Sequence, residues 1–453
     1  MGMIRLIAAL SPAFLMLAAA AACADEFSEQ RLANWHQWRG PEATGVAPHG
    51  DPPTHWDDET NIKWKVPVPG RGTSTPVIWG DRIFLMTAIK TDRQAEEAAE
   101  EAANVGRPGE RRSGGRSSPT NYHQFVVLCL DRRTGQTLWQ KIACEVVPHQ
   151  GHHPTSSFVA ASPITNGNFV YCSFGSRGLY CYDMEGNLQW KAELGQFRIK
   201  FGFGEGSSPA LYENTLVVNC DHEGESFITA LDATTGRPKW NEPRVEDSTW
   251  NTPLVAEYNG RPQVLVNGAK AARSYDLQTG RLRWEYSGRA GVDAIPSPLR
   301  LGELAIFVSG LRGNPAYAIP LSSSGDLTEG ERIAWKHTEG TPQVSTPVLV
   351  GERLYFTKDR AGILTCLNAR TGDVIFERER LPGLDNMYPS PVTAAGRIYF
   401  TDRNGGTVVI DATADELRVL DECRLTDTIV GSPAIVGREI FIRGEQTLYC
   451  IAE

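Results

Sequence analysis

The sequence predicts an all-β protein, an eight-bladed β-propeller of four-stranded antiparallel blades closed by its N-terminal strand. Three observations carry this. A Ser/Thr-Pro dipeptide opens an apolar run eight times, with Pro at 76, 163, 209, 253, 298, 347, 391 and 433. An acidic turn ending Thr-Gly and followed by Trp recurs between these openings. The last copy stops without an outer strand, and a strand-like Asn61-Ile-Lys-Trp64-Lys near the start is left over to complete it.

The spacings between successive prolines are 87, 46, 44, 45, 49, 44 and 42. Four short strands need about 45 residues, the period of one propeller blade. The segments at 346–356 (Thr-Pro-Val-Leu-Val-Gly-Glu-Arg-Leu-Tyr-Phe) and 390–400 (Ser-Pro-Val-Thr-Ala-Ala-Gly-Arg-Ile-Tyr-Phe) are near copies, each two apolar runs around a Gly turn, which reads as a hairpin. The second motif stands complete at Asp131–Trp139, Asp232–Trp240 and Asp276–Trp284, with degenerate copies ending at Trp190, Trp335 and Phe376. Its Asp bonds the turn backbone, its Gly takes positive φ, and its ring packs between neighbouring sheets. Each such ring buries ~200 Å², about 5 kcal/mol gross before entropy. Pairing 61–65 with 447–451 would remove the free edges that an open ring leaves exposed.

Composition agrees. The chain has 453 residues, 41% of them hydrophobic, a net charge of −9, and 44 Gly with 28 Pro. An apolar fraction near the globular average excludes wholesale disorder. The acidic balance argues against a nucleic-acid binder, whose affinity comes from neutralising phosphates. Residues 1–24, with Arg5, an apolar run from Leu6 to Ala22 and the small-residue site Ala22-Cys23-Ala24, read as a secretory signal peptide. Lipidation of Cys23 is the competing reading, though Ala20 stands where a lipoprotein signal prefers a branched aliphatic. Either way the protein is expected to be exported, periplasmic or extracellular, without a transmembrane span and as a monomer.

Eight of the nine Cys remain after cleavage. Cys129, Cys181, Cys366 and Cys450 occupy one repeat position where other copies carry Ala or Ile, so buried thiols are expected in place of a disulfide framework. Residues 25–60 form an arm against the ring. The 90–121 segment interrupts the first blade with an acidic helix-prone run and an Arg/Gly/Ser stretch, either a solvated loop or a docking element. The propeller itself runs from 61 to 453.

The Asp-x-x-Thr-Gly-x-x-x-Trp repeats and the opening Trp35-His-Gln-Trp38-Arg-Gly-Pro41 resemble the pyrroloquinoline-quinone (PQQ)-like propeller-repeat proteins. Within them the chain is similar to exported BamB-like proteins over residues 34–453. That resemblance implies a non-catalytic scaffold for envelope proteins. The rival reading is a PQQ-like oxidoreductase or other enzyme with its site in the central channel. A quinoprotein alcohol dehydrogenase clamps PQQ between a channel Trp and a disulfide of adjacent cysteines, beside a calcium held by Glu, Asn and Asp. No Cys-Cys pair occurs here, which argues against PQQ with calcium, although Trp250-Asn251 imitates part of such a floor.

No catalytic residue is assigned. Gly202-Phe-Gly204-Glu-Gly206 leads into a strand and not a helix, so it lacks the dipole of a phosphate loop. His149, His152 and His153, with Asp221-His222-Glu223 nearby in the fold, read as a polar loop, a ligand-binding patch or a Zn²⁺ or Cu²⁺ site. The turn after the second strand of most blades carries a cation: Arg177, Lys270 with Arg273, Arg312, Arg360, Arg403 and Arg443. The loops into the inner strands add Arg71, His152, His153, Trp250 and Asp293 on the same face. Two readings stand. The guanidinium groups form a ring that holds an anionic ligand or acidic protein segment, or each pairs with a local carboxylate such as Asp359, Asp402 or Glu445 as ordinary turn chemistry.

Overall fold

The computed structural model describes residues 27–95, 119–288, 293–308, 315–328, 332–358 and 360–453. The 1–24 leader, most of the 90–121 insertion and Arg312 lie outside these residues. Eight antiparallel sheets follow one another along the chain as the blades of a propeller, their inner strands starting at Val77, Ile164, Ala210, Leu254, Leu299, Val348, Val392 and Ala434. Blade 8 is completed by Ile62–Pro67, which pairs antiparallel with Thr447–Ile451 from Ile62↔Ile451 to Pro67↔Thr447. In blade 1 the strands Arg82–Gln94 and Asn121–Asp131 pair out to Gln94↔Asn121, so both ends of the insertion belong to a long hairpin. No helix among the described residues is long and apolar enough to cross a membrane. All eight described cysteines are unpaired thiols, seven of them buried.

Five indoles of outer strands dock on the turn between the third and fourth strands of the next blade. The indole N–H donates to a turn carbonyl: Trp64 to Arg132 at 3.0 Å, Trp139 to Met184 at 2.9 Å, Trp190 to Ala233 at 3.0 Å, Trp240 to Leu277 at 2.8 Å and Trp335 to Ala369 at 2.9 Å. The turn glycine lies flat against the ring. At Gly236, with φ +70°, a Cβ would come within 2.5 Å of Trp190, so the motif needs Gly both for its backbone and for the approach. Blade 5 carries only the degenerate copy ending at Trp335. Trp284, on the outer strand of blade 4 that faces it, is fully buried with its N–H unpartnered among the described residues, and Gly325–Asp326 adds a short parallel strand to the blade 4 edge.

The Ser/Thr-Pro openings perform a second task around the axis. The amide of each Ser/Thr donates to the hydroxyl of its counterpart in the next blade: Thr75 to Ser162, Ser162 to Ser208, Ser208 to Thr252, Thr252 to Ser297, Ser297 to Thr346, Thr346 to Ser390 and Ser390 to Ser432, at 2.8–3.2 Å. The Pro that follows presents no N–H, so the belt leaves no stranded donor at that residue. Only the junction between blades 8 and 1, where the chain ends meet, breaks the pattern, and Thr75 Oγ1 is buried there without a partner. Other groups hold that junction. Arg443, fully buried, donates to Ser74 Oγ at 2.6 Å and to the Met86 carbonyl at 2.7 Å. Outside it, Arg71 meets Glu445 at 2.7 Å and Arg132 meets Glu439 at 2.6 Å.

The arm crosses the end of the ring at which the first two strands of each blade turn. Trp35 pairs with Ile78, the His36 carbonyl takes the Thr165 amide, and Val46 bridges Thr393. Arg39 is buried with no carboxylate, and its guanidinium donates to the carbonyls of Pro347, Pro391 and Thr44. Desolvation pushes its pKa down to about 9, which still leaves it charged at neutral pH. The arm is therefore a plug on the axis, inserted where the inner strands of blades 6 and 7 begin.

Replacing Ser208 by Ala should strand the Ser162 amide and lower the unfolding free energy by about 1–3 kcal/mol, with Ser208→Thr restoring it in denaturant titrations. Burial, helped by Arg31, holds the His36 imidazole down to about pKa 3. The unfolded chain then binds a proton that the folded one refuses, so stability should fall as pH drops from about 6.5 towards 3, by up to about 1.4 kcal/mol per pH unit. His36→Leu should flatten that part of the stability–pH curve.

Candidate functional site

The axis holds a cavity of about 400 Å³, floored by Trp38 of the arm and open on the opposite face. Its wall is built by two stacked rings. In an extended segment residues two apart face the same side, so positions one and three before each repeat Pro both point at the axis. The lower ring is the hydroxyl belt. The upper ring reads, from blade 1 to blade 8, Thr73, Ala160, Gly206, Trp250, Ile295, Val344, Tyr388 and Val430, all of which line the cavity. Small residues on blades 1–3 leave one side open, while Trp250 and Tyr388 are the wide side chains. Trp250 is fixed by its N–H on the Gly204 carbonyl at 2.7 Å and lies beside Phe203, 6.4 Å between ring centroids.

Of the expected site residues, His153, Trp250 and Arg360 line the cavity, and Arg71, His152, Arg177, Asn251 and Arg403 do not. Arg312 falls outside the described residues. The cations of the expected ring differ sharply in their surroundings. Arg177 is paired with Glu205 at 2.9 Å, and the same carboxylate accepts from the Ser176 amide and hydroxyl at 2.7 Å. Arg71 is taken by Glu445, Lys270 by Asp247 at 2.8 Å, and Arg273 by Glu246 and Glu285. Arg443 is interior. Arg403 is half-buried, with its backbone bonded to Asn386 and Ile429. Asp402 accepts backbone amides of Asp385, Asn404 and Gly406 in place of an Arg. Arg360, in the cavity wall, is exposed, pairs with no carboxylate among the described residues and donates to the Tyr388 hydroxyl at 2.7 Å, while Asp359, its expected local partner, lies outside those residues.

The histidines do not assemble as a metal set. His149 Nε2 bonds the Phe197 carbonyl at 2.6 Å, His152 Nδ1 the His153 carbonyl at 2.8 Å, and His153 Nδ1 the Thr155 hydroxyl at 2.7 Å. Asp221 is fully buried in an ion pair with Arg244 at 2.7 Å, and Glu223 accepts from Ser248. Neither is turned towards the imidazoles. Asn251 is also spent, its amide exchanging bonds with the Asn267 backbone. The two carboxylates in the cavity wall are both engaged, Glu205 as above and Asp293 with Lys200 at 2.9 Å.

Sequence reasoning missed Trp38, Glu205 and Tyr388. Counting back three residues from each repeat Pro would have found Tyr388 and the whole upper ring. Trp38 carried no such signal, because its place depends on where the arm docks.

These features define a propeller of the PQQ-like repeat class with a plugged axial cavity. A family model described as outer membrane protein assembly factor BamB matches residues 123–378, more than half of the chain, and the protein belongs to that family. The structure of BamB from Moraxella catarrhalis is similar at 14% identity and a TM-score of 0.51, over 82% of this chain and 98% of that one. Quinohemoprotein alcohol dehydrogenase from Comamonas testosteroni is similar at 12% identity and a TM-score of 0.62, over 96% of this chain and 84% of that one. At such identities the likeness is one of fold. No curated protein matches the chain in sequence.

The residues present do not fit a PQQ–calcium site. Among the described residues no Cys lines the cavity, Asn251 is turned into the blade, and each carboxylate of the wall already carries its own cation. Protein incubated with PQQ and Ca²⁺ and then desalted should retain no stoichiometric chromophore. A one-to-one quinone absorption band surviving desalting would contradict the misfit.

Proposed function

We propose that this protein is a non-catalytic, exported binding module of the BamB family. Its open face would dock envelope proteins, and its axial cavity would receive an anionic group on an extended segment of the partner. Support comes from the chemistry of the cavity wall. Its lower-ring hydroxyls other than Thr75 are committed to the belt, and its carboxylates to neighbouring cations. What remains to meet a ligand is Arg360 with Tyr388, at the rim of a pocket lined by Trp250, Phe203 and Trp38. A guanidinium beside a phenol binds a carboxylate through charge-assisted hydrogen bonds, while the aromatic wall takes the apolar stem. Export and a monomeric state are part of the same reading, and the family match fits an exported protein.

A second reading, an oxidoreductase using the channel, draws on the fold likeness to the quinohemoprotein dehydrogenase. The engaged donor set weighs against it, and the reconstitution experiment above separates the two.

A labelled oligoglutamate peptide should bind in fluorescence polarisation more tightly than an oligoglutamine control, with affinity falling as salt rises. Arg360→Glu should weaken capture by about tenfold or more, the effect of one lost charge-assisted contact, with an unchanged melting temperature. Equal binding of both peptides, or capture indifferent to Arg360→Glu, would overturn the proposal.

A further inference from the structure

The distal end of the arm meets the outer strand of blade 7, Val419–Arg424. The Trp56 carbonyl accepts the Arg424 amide at 3.4 Å, and the Thr54 carbonyl accepts the Cys423 thiol at 3.1 Å. Asp421 and Cys423, two apart on an extended strand, face the arm together. His55 enters opposite them, its Nδ1 3.0 Å from Asp421 Oδ1. The imidazole nitrogen, the carboxylate oxygen and the sulfur all lie within 4.8 Å of one another, and no other set of three His, Cys, Asp or Glu side chains does so among the described residues.

We propose that His55, Asp421 and Cys423 form a binding site for a borderline transition-metal ion, with zinc the reference case, which fastens the arm to blade 7. Three ligands at metal distances of ~2.0–2.3 Å stand ~3.3–3.8 Å apart in a tetrahedron, so small side-chain adjustments close the set. Thiolate with imidazole selects zinc or copper and disfavours calcium and magnesium, which want oxygen. The fourth position is open to water. The ion has access, because the His55 and Asp421 side chains are 52% and 31% exposed, while the sulfur is buried behind them. Binding is plain ligand exchange: the thiol proton leaves to solvent, sulfur, nitrogen and oxygen each donate a pair, and nothing is oxidised. Burial pushes the Cys423 thiol up to about 12, so the metal-free protein holds that proton at neutral pH and releases it on uptake.

The test uses the full untagged chain, stripped with chelator and titrated with Co²⁺ and Zn²⁺. One equivalent should bind with release of about one proton, and Co²⁺ should give a thiolate-to-metal charge-transfer band that Zn²⁺ displaces. Cys423→Ser should abolish that band, and His55→Ala should weaken uptake about tenfold or more, the order of effect seen on losing metal-site partners. His55 is exposed, so its variant should keep the metal-free melting temperature and lose only the rise caused by Zn²⁺. The proposal fails if no stoichiometric ion is taken up, or if uptake is the same in both variants, which would place the metal elsewhere, such as the His149–His153 loop.

Discussion

The constraint on which the rest depends is the hydrogen-bonded belt at the axis. Eight inner strands crowd together there, each beginning with a backbone amide that would be buried without water. A Ser or Thr hydroxyl from the next blade satisfies that amide at seven of the eight junctions. Buried amides left unpaired cost more than paired ones gain, so this chemistry restricts every copy to Ser or Thr before Pro. The same geometry sets the distance between neighbouring blades. It thereby sets the separation at which an indole of one blade reaches the acidic turn of the next. Inner belt and outer indoles are two ends of one repeated interface, polar near the axis and mainly aromatic at the rim.

The junction between the chain termini shows what happens when that interface is incomplete. Residues 61–67 supply the missing strand and Trp64 its indole, yet the belt bond is absent. Arg443, Arg71 with Glu445 and Arg132 with Glu439 take over. On the axis, Arg39 performs a similar service for blades 6 and 7. Both buried guanidinium groups face backbone carbonyls and hydroxyls, an arrangement that suits a planar, multiply donating cation. The arm is thus a structural part of the ring, and it converts a through-channel into a pocket with a floor.

Most of the fold was legible because it is repetitive. Eight prolines at near-constant spacing, a turn motif and a leftover strand define blade number and closure without any tertiary knowledge. The site was less legible, for a specific reason. The basic residue after the second strand recurs in sequence, but its partner comes from a loop between blades: Glu205 for Arg177, Asp247 for Lys270, and Glu246, beside Glu285 of its own blade, for Arg273. Local pairing with Asp402 looked equally plausible along the chain, yet that carboxylate is consumed by turn amides. Such neutralisation is decided by packing between repeats, which no single repeat encodes. Trp38 illustrates the same limit from the other side, since nothing in residues 34–50 announces that they cross the axis.

The belt has one consequence for whatever enters the pocket. Its donors all point the same way round the circle, so their bond dipoles are tangential, and seven tangents around a circle of eight cancel except for the one missing at the junction of blades 8 and 1. The lining is consequently wettable without being electrostatically biased along the channel. A visitor feels neither an attracting nor a repelling end of a stack of amides, as it would at a helix terminus. In the proposed reading, discrimination between charged and neutral visitors would fall to Arg360 at the rim, and selectivity could then drift through one codon while the scaffold beneath stays intact.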